Sequence, residues 1–198
     1  MAVASNAQAH IMKRITSIAV LLFASLCVAA ETQPIFHSSA THFQHDMVVP
    51  GYDTSNGPIR AVSICYRYKH VRSITAESRD AAAADVTVDF QPGFLQLRSE
   101  DDVIVTVPFP AEGQAFTLAP FDGTVDFAGP SGFRFRSQRH GHGIVHITDP
   151  DIVARFVNVP TAAVTAQGLD LFSATGAGNL DAVSNSRIII QGEVIYNN

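Results

Sequence analysis

Val62-Ser63-Ile64-Cys65-Tyr66-Arg67-Tyr68 carries an apolar or aromatic side chain at every second position, with small or polar residues between. Successive side chains of an extended strand point to opposite faces, so this period of two puts Val62, Ile64, Tyr66 and Tyr68 on one side. Ser63, Cys65 and Arg67 fall on the other. The same alternation recurs down the chain: Val86, Val88 and Phe90 alternate with Asp85, Thr87 and Asp89; Val103, Val105, Val107 and Phe109 share a face; Phe133 and Phe135 alternate with Arg134 and Arg136. Arg187 to Tyr196 is β-branched and aromatic enough for a central strand. Turn formers separate these runs, among them Ser55-Asn56-Gly57-Pro58, Gln91-Pro92-Gly93, Asp122-Gly123, Pro130-Ser131-Gly132, Gly141-His142-Gly143 and Gly176-Ala177-Gly178-Asn179. Many short strands, frequent turns and no amphipathic helix predict an all-β fold, a single antiparallel β-sandwich of jelly-roll type. Ser78 to Asp85, with its alanine run, is the one helix candidate, and a loop suits it equally.

No internal repeat, low-complexity tract or linker divides the sequence, which argues for one domain. The sandwich is expected over residues 57–198. Residues 31–56 mix histidines, a proline and scattered apolar residues, and read as a leader with an edge strand.

Residues 1–30 have the composition of an export signal. Met12-Lys13-Arg14 is a short basic stretch, Ile15 to Ala30 is uncharged, and Val28-Ala29-Ala30 precedes Glu31 as a small-residue cleavage site. The apolar run is shorter than the roughly 20 residues a membrane-spanning helix needs. Met12 is the expected true start. Leu26 before Cys27 argues against lipid attachment, which wants a small residue there. Cleavage near Ala30 removes Lys13, Arg14 and Cys27, leaving 11 basic and 18 acidic residues, formally −7, with Cys65 as the only cysteine. Such a product has no intrachain disulfide, and its acidity argues against nucleic acid or an anionic membrane as partner. The chain ends at Tyr196-Asn197-Asn198 without a hydrophobic tail, so a secreted or periplasmic product released rather than anchored is expected.

The segment Phe116-Thr117-Leu118-Ala119-Pro120-Phe121-Asp122-Gly123-Thr124-Val125-Asp126-Phe127-Ala128-Gly129-Pro130-Ser131-Gly132 resembles the central motif of the choice-of-anchor E domains of bacterial secreted and surface proteins. In that family an aromatic-Asp-Gly step leads into a short Asp-Phe strand and then a Gly-x-Ser-Gly turn. Asp151 to Val159, Ala174 to Leu180 and Ile188 to Tyr196 resemble later parts of the family pattern, and Gly57 to Tyr68 matches an earlier strand loosely. The resemblance implies an exported domain with no established catalytic activity. From the residues alone, Asp-Gly and Pro-Ser-Gly are turn formers, and Asp126 suits a turn in which its side chain accepts from nearby backbone N–H groups.

Candidate chemistry is sparse. His140-Gly141-His142-x-x-x-His146 puts three imidazoles on one side of an extended strand, a donor set that suits zinc or copper. A regular strand is not expected across Gly141 and Gly143, however, and a glycine-rich hairpin loop is the plainer reading. His42, His45 and Asp46 could add ligands if the N-terminal segment packs nearby. Glu100-Asp101-Asp102 and Asp149-Pro150-Asp151 offer oxygen ligands of the kind calcium takes, without the ladder of a dedicated loop.

Enzyme readings are weaker still. The acidic residues nominate no pair of glycosidase type. Ser131 lacks a nucleophile elbow, Cys65 is more simply a packed residue, and Gly176-Ala177-Gly178 precedes no helix and so is no phosphate loop. For sugar binding, the chain has no tryptophan, and three of its four tyrosines, Tyr66, Tyr68 and Tyr196, fall on expected core strands. The expectation is therefore a secreted, non-enzymatic β-sandwich with a structural or interaction role and no catalytic residue. The alternatives are a metal-binding protein using His140, His142 and His146, and a glycan-binding module with an extracellular polysaccharide or protein partner.

Overall fold

The computed structural model describes residues 32–40 and 42–198. The export signal read at 1–30 lies outside the described residues. Eleven strands form among the described residues: β1 (Thr32–Ala40), β2 (Phe43–Pro50), β3 (Ala61–Ser78), β4 (Ala84–Phe90), β5 (Gly93–Ser99), β6 (Asp102–Phe109), β7 (Glu112–Leu118), β8 (Gly132–Ile147), β9 (Thr161–Leu169), β10 (Phe172–Thr175) and β11 (Leu180–Asn197). They make three antiparallel sheets, ordered β1-β11-β3-β8, β2-β9-β5-β6 and β10-β4-β7.

The second and third sheets are two halves of one. β4 and β5 pair with β7 and β6 in a single register, from Ala84 opposite Leu118 to Leu97 opposite Val105. The ladder breaks where Pro92 and Pro110 have no N–H to contribute. β9 and β10 extend this surface against β5 and β4, with a one-residue slip in register around Asp170-Leu171. With the halves joined, eight strands lie in two four-stranded sheets. The first, eighth, third and sixth face the second, seventh, fourth and fifth, the connectivity of a jelly-roll sandwich.

Alternation fills the space between the sheets. Val62, Ile64, Ile188, Ile190, Val194 and Tyr196 from the first sheet meet Met47, Val49, Leu95, Leu97, Phe109 and Val164 from the second, all essentially inaccessible. Past the proline break, a second cluster packs Ile74, Ala76 and Phe133 against Val86, Val88, Phe90 and Leu118. Burying a side chain of this size contributes about 1.5–3 kcal/mol. β1 and β2 are edge strands of the two sheets, and Ile35, Met47 and Val49 belong to the same core as the later strands.

Three local expectations change. Ser78 to Asp85 is not a helix: β3 runs through Ser78, β4 starts at Ala84, and the alanines lie in the connection. Among the described residues the α-helix is α1 (Pro150–Ala154), whose N-cap Asp149 accepts from the backbone N–H groups of Asp151 and Ile152. Val103 leaves the face it was expected to share, because a bulge between Leu97 and Arg98 shifts the register and leaves it 47% exposed. Finally, Asp126-Phe127 lies in a loop instead of a short strand.

Candidate functional site

β8 stays regular through Gly141 and Gly143, pairing with β3 from Gly132 to Ile147, so no hairpin loop forms there. The cross-strand neighbours explain the glycines. Gly141 faces Tyr68 and Gly143 faces Tyr66 on the inner side of the sheet. A Cβ at Gly141 would stand 2.4 Å from the Tyr68 ring, and one at Gly143 2.6 Å from the Tyr66 hydroxyl oxygen. Both rings lie across the adjacent strand in room that only glycine leaves. Burial, and then the neighbouring Tyr68, hold the Tyr66 hydroxyl protonated to higher pH than usual.

The residues between these glycines point outward. Along β8 the outer face presents Arg134, Arg136, Gln138, His140, His142, Ile144 and His146 in turn. On β3, Lys69 stands opposite His140 and Arg67 opposite His142. β11 adds Gln191 beside Arg67 and Glu193 beside Cys65, and Phe36 of β1, 62% exposed, stands opposite Gln191. Among the described residues, Arg67, Lys69, Arg134 and Arg136 take part in no ion pair. Two adjoining depressions run over this face, of about 590 and 640 Å³. The first has Phe36, Ile144 and Glu193 on its walls, the second Lys69 and His140, and Arg67, His142 and Gln191 border both.

The three histidines read as metal ligands are on one face but do not converge. At about 3.4 Å per residue, His142 and His146 are separated by roughly 14 Å of strand, whereas zinc holds imidazole nitrogens about 2 Å away. His146 Nδ1 is instead 2.7 Å from Ser63 Oγ. Lys69 and Arg67 beside His140 and His142 make the position repulsive to a cation. Among the described residues no three His, Cys, Asp or Glu side chains gather in a way that could hold a metal ion. His42 lies elsewhere, beside a depression with Phe90, Asp170 and Ser186, while Asp46 accepts from Thr165 Oγ1 at 2.6 Å.

In the carboxylate clusters read as calcium candidates, Glu100, Asp102 and Asp149 are engaged by other partners. Glu100 and Asp102 contact Arg155 at 3.4 and 2.6 Å. The Asp102 hydrogen bond, against some burial and with help from the charges of Glu100, Asp102 and Asp149, raises the Arg155 pKa further. Asp149 caps α1. Ser131 donates to Glu77 at 3.1 Å, and the buried Glu77 carboxylate also accepts from the backbone N–H groups of Asp126 and Phe127, pinning the loop that follows β7. Asp126 accepts from the N–H of Ala128, as its turn chemistry predicted. Asp80 similarly holds Gly178 and Asn179. Cys65 is half-buried on the outer face, with Ile144 and Glu193 opposite.

One constellation was not legible in the sequence. At the proline break, between the two apolar clusters, Asp170 sits under 1% exposed Arg72 and His70. Arg72 Nη2 is 2.8 Å from Asp170 Oδ1, and its Nε donates to Oδ2 at 3.1 Å. His70 Nε2 lies 3.1 Å from both Asp170 Oδ2 and Ser186 Oγ, and Ser186 donates to the same carboxylate oxygen. Phe109 stacks on His70 at 4.1 Å, and Phe90 lies 4.9 Å beneath the Arg72 guanidinium. Burial alone would raise the Asp170 pKa. The hydrogen bonds from His70 and Ser186 and the charges of Arg72 and His70 outweigh it, and the carboxyl titrates below its ordinary value. A Ser-His-Asp relay needs the carboxylate on Nδ1 and the serine on Nε2. Here both partners share Nε2, and Nδ1 has no hydrogen bond among the described residues. The cluster therefore ties the break in the second sheet to β3 and β11 and lacks the geometry to activate Ser186.

No family model matches the chain, and no curated protein does. Among solved structures, those of the infectious bursal disease virus Gx and Gt strains align with 86% and 85% of this chain, at 10% and 9% identity and TM-scores of 0.18 and 0.16. The chain spans about two fifths of their length, 42% and 41%. Likeness at that level carries no argument about what the chain does.

Proposed function

We propose that the chain is an exported, non-enzymatic β-sandwich that acts as a structural or interaction module outside the cytoplasm, meeting its partner through the outer face of the β1-β11-β3-β8 sheet. The observation that carries this reading is the outer face itself. It joins Arg67, Lys69, Arg134 and Arg136, which take part in no ion pair among the described residues, to exposed Phe36 and Ile144, on a chain whose formal net charge is −5. Charge of the minority sign gathered on one face, bordered by exposed apolar side chains, is how interaction surfaces differ from ordinary solvated ones. Export rests on the composition of residues 12–31, and the resemblance of Phe116–Gly132 to choice-of-anchor E domains agrees with it.

Fractionation of expressing cells tests the proposal. The expected product lies outside the cytoplasm, begins after Ala30, and sediments with the cell-surface or matrix fraction. An Arg67→Glu/Arg136→Glu variant is exported equally but stays in the supernatant. A product retained inside the cell with its N-terminus intact defeats the export reading, and unchanged sedimentation of the variant defeats the face.

A further inference from the structure

We infer that the outer face of the first sheet binds a linear, carboxylated polysaccharide chain lying along β8, an inference that rests on the interaction-module reading above and names the partner. β8 spaces its outward side chains about 6.8 Å apart, two residues of rise, and from Arg134 to His146 they extend over roughly 40 Å. Four of those seven positions hold Arg134, Arg136, His140 and His142, and Arg67 and Lys69 of β3 double the row at its centre. Among the described residues Glu193 is the one carboxylate lining the adjoining depressions. Gln191 and Gln138 supply neutral donors and acceptors on the same face, the groups that hydroxyls of a sugar ring hydrogen-bond.

Spacing and shape select among polyanions. Duplex DNA carries a charge every 1.7 Å or so and presents grooves that a helix or ribbon enters. A broad sheet face with cations several ångströms apart offers neither the charge density nor an inserted element. Single strands are held by stacking bases on aromatic platforms, but Tyr66 and Tyr68 turn to the inner side, and among the described residues Phe36 is the aromatic on this face. A polyuronate has carboxylates separated by whole sugar rings, with hydroxyls between them, and lies extended. That pattern fits rows of arginine, lysine and glutamine along a strand. His140 and His142 belong to this row, where their ring nitrogens add hydrogen-bonding groups beside Lys69 and Arg67.

The test uses purified protein and alginate as the polyuronate, with dextran as neutral control and oligothymidylate as competing polyanion, by biolayer interferometry. Alginate binds and weakens steeply with added salt, and dextran does not bind. Arg67→Gln/Lys69→Gln/Arg136→Gln lowers alginate affinity by about tenfold or more. Arg98→Gln, on the outer side of the opposite sheet, stays within about twofold, and circular dichroism confirms that both variants are folded. Tighter binding of oligothymidylate than alginate, or a triple variant that keeps its alginate affinity, overturns the inference. No alginate binding, together with loss of surface sedimentation in the Arg67→Glu/Arg136→Glu variant, defeats the polyuronate and leaves the interaction module standing. No binding and unchanged sedimentation defeat both.

Discussion

Replacing Asp170 with Asn removes one charge from the most enclosed ionic cluster among the described residues and leaves its shape nearly unchanged. Arg72 and His70 stay where they are, each about 1% exposed. Arg72 then loses the charge of its 2.8 Å ion pair and one of its two acceptors on residue 170, because the amide nitrogen cannot accept, while it retains the Pro110 carbonyl at 3.2 Å and the partly buried Glu112 at 4.0 Å. Removing one partner of a buried pair costs about 3–5 kcal/mol. Glu112 and the two phenylalanine rings recover part of that, so about 3 kcal/mol is expected. In a domain of this size that lowers the melting midpoint by roughly 6–12 °C. Urea unfolding with fitted slopes measures it, because the slope reports whether the compactness of either state has also changed. The double variant Arg72→Met/Asp170→Leu removes both charges and fills the space with apolar atoms. It should be more stable than Asp170→Leu alone, and its cost should fall well below the sum of the Arg72→Met and Asp170→Leu single variants. A loss under about 1 kcal/mol for Asp170→Asn, or a double variant that costs the sum of its parts, refutes the assignment of this cluster as the tie across the proline break.

The same carboxylate sets a pH dependence. Its pKa in the folded chain lies below the ordinary value of 3.8, so its contribution is complete above that value and disappears as pH falls through the lower folded one. The stability gap between wild type and Asp170→Asn should hold steady from pH 7 to about 5 and close below about pH 4; a gap that closes near neutrality contradicts it. Gly141→Ala places a methyl against the Tyr68 ring and should cost about 1–3 kcal/mol, relieved in the Tyr68→Ala background. Equal cost in both backgrounds would show that the ring is not the obstacle. Glu77→Gln should cost about 1–3 kcal/mol and speed hydrogen exchange at the Asp126 and Phe127 amides, while the amides of β11 keep their protection. Elemental analysis should find no stoichiometric zinc or copper lost on replacing His140, His142 and His146 with Ala. A metal held by wild type and absent from that variant would reinstate the metal site.

Alternation of apolar and polar residues was enough to identify the sandwich, because a strand with one buried face must repeat every second residue, and Val62 to Tyr68 does so without exception. It also placed Arg187 to Tyr196 centrally, between β1 and β3. Local chemistry carried the turns at Asp122 and Asp126, and the Asp149-Pro150 cap could have announced α1. Glycine misled where its reason was nonlocal: Gly141 and Gly143 signal a turn to a reader of neighbours in sequence, but the residues requiring them are Tyr68 and Tyr66, more than 70 positions away. The candidate site divided the same way. His140 and His142 stand out in the sequence, yet whether two imidazoles attract a metal or an anion depends on what pairing sets beside them. Register with β3 put Arg67 and Lys69 there. Asp170, Arg72, His70 and Ser186 are unremarkable singly, and only the jelly-roll crossing brings four distant positions to one buried point. Periodicity is a property of each strand and is written along it; charge surroundings belong to pairs of strands, and only tertiary structure chooses the pairs.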